Sequence, residues 1–134
     1  ANARLAYRHY QALCGTARWQ ALAGAGARPQ RLLWASTSSK NPAYRDVVYV
    51  EELIGPDTVN TLPPATLDAF VDHGQAAVTI TRDPAAAEQC LAALGRLGIE
   101  LDRVTDQLLE DGIRQFADAF DKLLAAVAER AGAR

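Results

Sequence analysis

The chain has 134 residues, of which 49% are hydrophobic and 22% are charged, and its formal net charge is −2. This composition is typical of one ordinary globular domain and excludes a disordered chain. The lack of a basic stripe argues against nucleic acid as a partner. Because no apolar run approaches the length that spans a bilayer and no signal peptide is visible, we expect no membrane partner and a cytoplasmic location.

The methionine and cysteine content of the chain is also informative. The chain contains no methionine, and residues 1–7 have the pattern of the middle of a helix without a cap. We therefore expect a piece of a longer protein, with the remainder of the same polypeptide as its partner. Cys14 and Cys90 lie far apart in helical patterns, so we expect reduced thiols in or near the core. Nothing at zinc-like spacing accompanies them, and no metal site is predicted.

Apolar periodicity and turn residues divide the chain into short elements. The pattern predicts, in chain order, helices over 2–14 and 17–23, a strand over 32–36, a helix over 47–53, a strand over 58–62, a helix over 64–72, a strand-like stretch over 77–81, and helices over 84–97, 102–111 and 113–130. Thr16 and Asp46 are expected to cap the helices that follow them, because their side-chain oxygens can accept from free N–H groups of the first turn.

Strands that alternate with helices in this way predict an α/β fold with a parallel sheet and right-handed crossovers. Only the strands over 32–36 and 58–62 are well defined, and the stretch over 77–81 would be a third. Two or three strands are too few for a stable sheet with both faces covered. We therefore expect the rest of the sheet to lie in another part of the polypeptide.

The most informative stretch is 31–44, where a short apolar strand gives way to small hydroxyl residues, one lysine and a turn. Hydroxyls, backbone N–H groups and one cation at the carboxyl end of a parallel strand suit an anionic ligand. The residues concerned are Ser36, Thr37, Ser38, Ser39 and Lys40. Lys40 stands out further, because only it and Lys122 are lysines among the 14 basic residues.

Other polar residues are better explained by local structure. Hydroxyls at 37–39 suit a turn more than a ligand, and Asn41 suits the start of a turn. Asn60 and Thr61 are expected to be buried polar groups bonded to a neighbouring strand. His73 suits the C-terminus of a helix, where its charge is favourable. The remaining assignments are Trp34 in the core, His9 on the surface, and Glu51, Glu52, Asp118 and Asp121 on solvated helix faces.

Several segments together resemble the carboxy-terminal part of bacterial transaldolase. They are the run Trp-Ala-Ser-Thr-Ser-Ser-Lys-Asn-Pro-Ala-Tyr over 34–44, the runs over 49–64 and 66–70, and the triplet Asp72-His73-Gly74. The resemblance is to the longer bacterial form, including the form fused to glucose-6-phosphate isomerase. It extends from about Ala1 to Leu124, with a highly specific middle and a last part that matches in pattern more than in residues.

The resemblance implies the carboxy-terminal portion of a (β/α)8 TIM barrel, with residues 1–134 as part of a single barrel domain. The strands over 32–36 and 58–62 would be the seventh and eighth, followed by additional helices. It implies an enzyme of the pentose phosphate pathway that moves a dihydroxyacetone unit from sedoheptulose 7-phosphate to glyceraldehyde 3-phosphate through a lysine Schiff base, without metal or organic cofactor. In the family that lysine lies upstream, so no catalytic residue is expected here, and the chain alone would be inactive.

The resemblance also implies which residues bind the phosphate group of the substrate. The family's phosphate clamp uses a serine and a cation just after the seventh strand, and these positions fall on Ser36 and Lys40. Thr37 is expected to add a neutral donor. A lysine suits a sugar phosphate because it is a compact cation with three donors. The smaller bacterial members have an arginine at shorter spacing, so this chain departs from them at Lys40.

Two alternatives stay open from the sequence. One is another sugar-phosphate aldolase or isomerase on the same barrel. The other is a non-catalytic helical interaction module, based on the amphipathic helices over 84–130. The sugar preference and the possibility of a homo-oligomer also stay open.

Overall fold

The computed structural model describes residues 1–132 of the chain. It contains six α-helices and two β-strands within that range. In chain order they are α1 (Asn2–Cys14), α2 (Ala17–Gly24), β1 (Leu32–Trp34), α3 (Val48–Glu51), β2 (Thr58–Asn60), α4 (Pro64–His73), α5 (Pro84–Arg96) and α6 (Leu101–Gly132). The chain divides into two compact units: the first is Ala1–Leu91, and the second begins at Ala92.

The first unit contains a two-stranded parallel sheet, as the alternation of elements predicts. Leu32 pairs with Thr58, and Trp34 pairs with Asn60. Both strands are shorter than the predicted 32–36 and 58–62. The first ends early because Ser36 adopts a left-handed φ of 59°, which breaks the extended backbone. Thr61 adds one further bond to the Trp34 carbonyl at 3.0 Å before the chain turns at Pro63.

The helix predicted over 47–53 is a single turn, α3, and Asp46 does not cap it. Val47 occupies the N-cap position without a side-chain hydrogen bond. The prediction fails because the Asp46 carboxylate faces the ring of His73 at the end of α4, at 2.9 Å. Thr16, in contrast, caps α2 as predicted, and its hydroxyl accepts from the Trp19 N–H at 3.2 Å.

The stretch over 77–81 is not a strand, contrary to the prediction. The N–H groups of Thr79 and Ile80 both donate to the Ile54 carbonyl, at 2.9 and 3.1 Å. The Thr79 hydroxyl donates to the Glu51 carbonyl and accepts from the Ile54 N–H. Both backbone N–H groups therefore share one carbonyl just beyond the end of α3, and a ladder of paired residues does not form.

The core of the first unit lies where α1 crosses the loop after α3. Tyr7 is buried, and its hydroxyl donates to the Pro56 carbonyl at 3.2 Å. Burial, with a smaller effect of Asp57, raises the pKa of this phenol. A Cβ on Gly55 would lie 2.2 Å from Cγ2 of Ile80, so only glycine allows the loop to approach this closely.

Arg4 and Arg8 of α1 form exposed ion pairs with Glu52 and Glu88.

In the second unit, α6 is one continuous helix where two helices, over 102–111 and 113–130, were predicted. Gly98 has a φ of 77° and separates α5 from α6, whereas Gly112 stays helical. A glycine inside a helix costs about 1 kcal/mol relative to alanine but does not by itself end the helix. The ion pair between Arg114 and Asp111 spans the position. The apolar side of α6 is exposed, and Phe116 is 83% accessible.

The two cysteines lie in helices, as predicted, and are unpaired within the described residues. Cys14 is partly buried, but Cys90 is exposed, so its predicted place in or near the core is wrong.

Across residues 1–132 we find no helix with the length and apolarity that crossing a membrane requires.

Candidate functional site

The carboxyl ends of β1 and β2 are joined by one buried side-chain hydrogen bond. The Thr37 hydroxyl donates to Oδ1 of Asn60 at 2.8 Å, and Thr37 is only 3% exposed. Asn60 and Thr61 thus bond to the chain around β1, as predicted. Their predicted burial is wrong for Thr61, which is exposed, and Asn60 is only partly buried. In this structure the Thr37 proton is used in the bond to Asn60.

Ser36 lies between the end of β1 and this buried bond. It is exposed, and its φ of 59° is uncommon for a residue with a side chain. Such a conformation costs about 1–3 kcal/mol and is concentrated at ligand sites and tight turns. The fold therefore holds the Ser36 hydroxyl at the surface beside the carboxyl ends of both strands.

Lys40 is exposed on the same loop, and its Nζ donates to the Ser38 hydroxyl oxygen at 2.6 Å. Within residues 1–132 no carboxylate forms an ion pair with it. A lysine that is held by one neutral acceptor keeps two of its three donors for a ligand. Its charge is therefore available to an anion.

A tight turn shapes the loop after Lys40. The Ala43 N–H donates to the side-chain oxygen of Asn41 at 2.9 Å, and the Ser39 hydroxyl donates to the Asn41 carbonyl at 3.1 Å. These contacts confirm the turn predicted at Asn41 and the turn-forming role of Ser39. We call residues 35–46, from the end of β1 to the start of α3, the β1–α3 loop.

An ion pair fastens the end of the β1–α3 loop to the unit. Both terminal nitrogens of Arg45 donate to the Glu51 carboxylate, at 2.8 and 3.0 Å. The same carboxylate accepts from the Gln75 N–H at 3.0 Å. The Glu51 side chain is only 12% exposed, so its predicted place on a solvated helix face is wrong. The reason is that its two oxygens collect donors from two separate segments.

His73 contacts the last residue of the β1–α3 loop. Its Nε2 lies 2.9 Å from Oδ1 of Asp46, and its Nδ1 lies 3.0 Å from Oδ2 of Asp72. The hydrogen bond to Asp46, and then the one to Asp72, raise the pKa of His73 above its ordinary 6.5. The same His73 contact lowers the pKa of Asp46. His73 is also the last residue of α4, the helix C-terminus predicted for it.

A cavity of about 340 Å³ lies beside the sheet and is lined by residues around β1, α3, β2 and α4. Its lining is mostly apolar and includes no lysine or carboxylate. Trp34 contributes to the lining, and its Nε1 is buried without a hydrogen-bond partner among the described residues.

In the part of the chain that the structure describes, no group of three His, Cys, Asp or Glu residues could hold a metal ion.

The geometry defines an α/β protein whose parallel strands end at a hydroxyl-rich loop, and one cation of this loop, Lys40, has no ion-pair partner in the part of the chain that the structure describes. Comparison with known proteins gives the family. The model of the transaldolase/fructose-6-phosphate aldolase family matches residues 1–127, and the chain belongs to this family.

Named relatives agree with that assignment. The chain is 50% identical to a transaldolase of Frankia alni over 133 residues, which are 98% of this chain and 36% of the relative. It is 53% identical to transaldolase 1 of Streptomyces coelicolor over 128 residues, 95% of this chain and 34% of the relative. A transaldolase of Neisseria meningitidis is 48% identical over 125 residues, 93% and 36% of the two chains. The chain therefore spans about a third of the length of these relatives.

Sequence reasoning identified the β1–α3 loop but missed two of the contacts that hold it. The Thr37–Asn60 bond joins residues that are 23 positions apart, and the His73–Asp46 contact joins residues that are 27 apart. Neither pair has a local pattern. The sequence places each of these residues near the end of a strand or helix, but that position does not indicate which residue it contacts.

Proposed function

We propose that this chain is the phosphate-binding part of a transaldolase, which transfers a dihydroxyacetone unit between sugar phosphates. The observation that carries the proposal is the place of Lys40: an exposed cation without an acidic partner among residues 1–132, on the loop that follows a parallel strand. Phosphate sites of TIM barrels are commonly built from loops at this end of the last strands. In this proposal β1 and β2 are the seventh and eighth strands of a (β/α)8 barrel.

Ser36 and Lys40 are the proposed phosphate ligands. The lysine supplies charge and the serine a neutral donor, which together match a dianionic group with oxygen acceptors only. The strained backbone of Ser36 supports the assignment, because its cost is repaid where a hydroxyl must face a ligand. Thr37, predicted as a third contact, is assigned to the buried bond with Asn60, which sets the position of both ligands.

The bond-making steps are assigned to another part of the polypeptide. A lysine that forms a Schiff base needs a desolvated site that lowers its pKa. Lys40 lies on a loop of hydroxyl residues and donates to one of them, which is not such a setting. We therefore propose that the imine forms on a lysine in the two thirds of the protein that the relatives have in addition.

The second candidate reaction is the cleavage of fructose 6-phosphate, because the family also includes fructose-6-phosphate aldolase. An aldolase would release free dihydroxyacetone, whereas a transaldolase passes the unit to an acceptor. The relatives at about half identity are named transaldolase, and this supports transfer as the main reaction.

The test uses the complete enzyme that contains this chain, with fructose 6-phosphate as donor and erythrose 4-phosphate as acceptor. We expect transfer, with little free dihydroxyacetone. In Lys40→Ala the KM for phosphorylated substrates should rise about tenfold, since a charged hydrogen-bonding group is lost. The KM for unphosphorylated dihydroxyacetone-type donors should change far less.

Lys122→Ala is the matched control, because it removes the only other lysine of the chain from an exposed position on α6. It should leave both KM values unchanged. No transfer in the wild-type enzyme would contradict the proposed reaction. An equal effect of Lys40→Ala on both kinds of substrate would remove the phosphate role.

A further inference from the structure

The β1–α3 loop, which carries Ser36 and Lys40, is fastened at both ends by side chains outside the proposed phosphate contacts. Thr37 bonds to Asn60 at its beginning. At its end, Asp46 bonds to His73, the last residue of α4. The second contact includes a group that changes its charge near neutral pH.

The ring of His73 lies between two carboxylates. Nε2 faces Asp46 at 2.9 Å, and Nδ1 faces Asp72 at 3.0 Å. An ionised carboxylate only accepts hydrogen bonds, and a neutral imidazole has only one N–H. Both contacts can therefore be hydrogen bonds only when the ring is an imidazolium. Loss of the proton turns one of them into an unfavourable contact between two acceptors.

Two charged groups, from two different elements, contact the His73 ring. Asp46 faces it from the β1–α3 loop, and Asp72 faces it from the last turn of α4. The nearby Arg45 and Glu51 are paired with each other, and Glu51 also accepts from the Gln75 backbone. The two carboxylates therefore dominate the electrostatics of the ring.

We propose that His73, as an imidazolium, is a positioning residue for the β1–α3 loop: it fastens Asp46 to the end of α4, so that Ser36 and Lys40 hold an anion best when the ring is protonated. The identity of the anion as a phosphate group rests on the proposed function. The fastening itself rests on the two ring contacts alone.

The pH window follows from the directions of the two pKa shifts. The pKa of His73 is raised, so its contribution is fully present below about pH 6.5 and is lost as the pH rises through the folded value. The pKa of Asp46 is lowered from 3.8, so its contribution is present above that value and is lost in stronger acid. The loop is therefore held most firmly in mildly acidic solution.

The test measures binding of inorganic sulfate to the complete enzyme from about pH 5.5 to about pH 8.5, which brackets the imidazole range. Sulfate serves as the probe because its own charge is constant across this range. We expect wild-type affinity to fall about two- to five-fold with rising pH, the size typical of an exposed ion pair. His73→Gln should bind weakly and without this pH dependence.

Two further variants separate positioning from general damage. His73→Arg keeps a permanent charge and several donors, so it should retain tight binding at high pH. His9→Gln changes the other histidine of the chain, which is exposed on α1, and should keep the wild-type profile. A wild-type profile in His73→Gln, or a pH-dependent one in His73→Arg, would overturn the inference.

The titration of the His73 ring, followed by NMR in the ligand-free enzyme, keeps this inference separate from the proposed function. We expect a pKa above 6.5 that falls in Asp46→Asn. An unshifted ring would overturn the fastening, whatever the enzyme binds. A shifted ring in an enzyme that binds no sulfate would support the fastening and contradict the phosphate role.

Discussion

Ser36 shows at the level of one residue how this chain combines strain with a candidate ligand contact. Three residues with side chains have a positive φ in the described range, namely Ser36, Asp57 and Asp83. Asp83 accepts from the Ala86 N–H at the start of α5, so its conformation belongs to a helix cap. Ser36 is the one that lies between a strand end and Lys40, where we propose that its exposed hydroxyl binds a phosphate group.

Ser36→Gly is therefore expected to separate stability from binding. Glycine adopts a positive φ without steric cost, so the free energy of unfolding should stay constant or rise by up to about 1 kcal/mol. Loss of the hydroxyl should nevertheless raise the KM for phosphorylated substrates. Chemical denaturation and steady-state kinetics of the complete enzyme measure the two effects.

Asp57→Gly is the matched control, since Asp57 has a φ of 56° and lies in the loop before β2. It should relieve the same strain and leave every KM unchanged. If Ser36→Gly bound phosphorylated substrates as well as the wild type, Ser36 would be a turn residue only.

At the scale of elements, the Thr37–Asn60 bond connects β1 and β2 beyond their last paired residues. Two three-residue strands provide little stability of their own, so side-chain contacts across their ends matter more than in a long sheet. Removing one partner of a buried hydrogen bond also leaves the other unsatisfied, which is costlier than the bond itself.

Thr37→Val keeps the shape of the side chain and removes its donor. We expect a loss of about 1–3 kcal/mol in the free energy of unfolding. Thr61→Val is the control, because the exposed Thr61 hydroxyl makes only a 3.5 Å contact with the Trp34 carbonyl, and the loss should stay within about 0.5 kcal/mol. Equal losses in the two variants, from denaturant titration, would show that the buried bond has no special importance.

The sequence predicted most elements because most of them follow local rules. Apolar spacing predicts α1, the Thr16 cap predicts the start of α2, and Pro64 predicts the start of α4. Small hydroxyl residues after an apolar strand predict the position of the loop. The errors have tertiary causes: Asp46 pairs with His73 and does not cap α3, and Thr79 and Ile80 bond to one carbonyl. The predicted break between 111 and 113 is also wrong, because a glycine such as Gly112 is compatible with both a helix interior and a helix end.

At the scale of the whole molecule, each of the two units has exposed apolar side chains among the described residues. Leu33, in a strand, is 54% exposed, and the apolar side of α6 is open along much of its length. The relatives are about three times as long as this chain. We propose that the remainder of the barrel covers these surfaces, which also explains why the sequence of this part alone predicts so few strands.

In the proposed enzyme, this chain binds phosphate and another part of the polypeptide forms the imine. Borohydride reduction of the complete enzyme during turnover of fructose 6-phosphate, followed by peptide mapping, tests these roles most directly. The reduction fixes the imine as a secondary amine on the lysine that formed it. We expect the modified lysine to lie outside residues 1–134, with Lys40 and Lys122 unmodified, whereas a modified Lys40 would contradict the proposed roles.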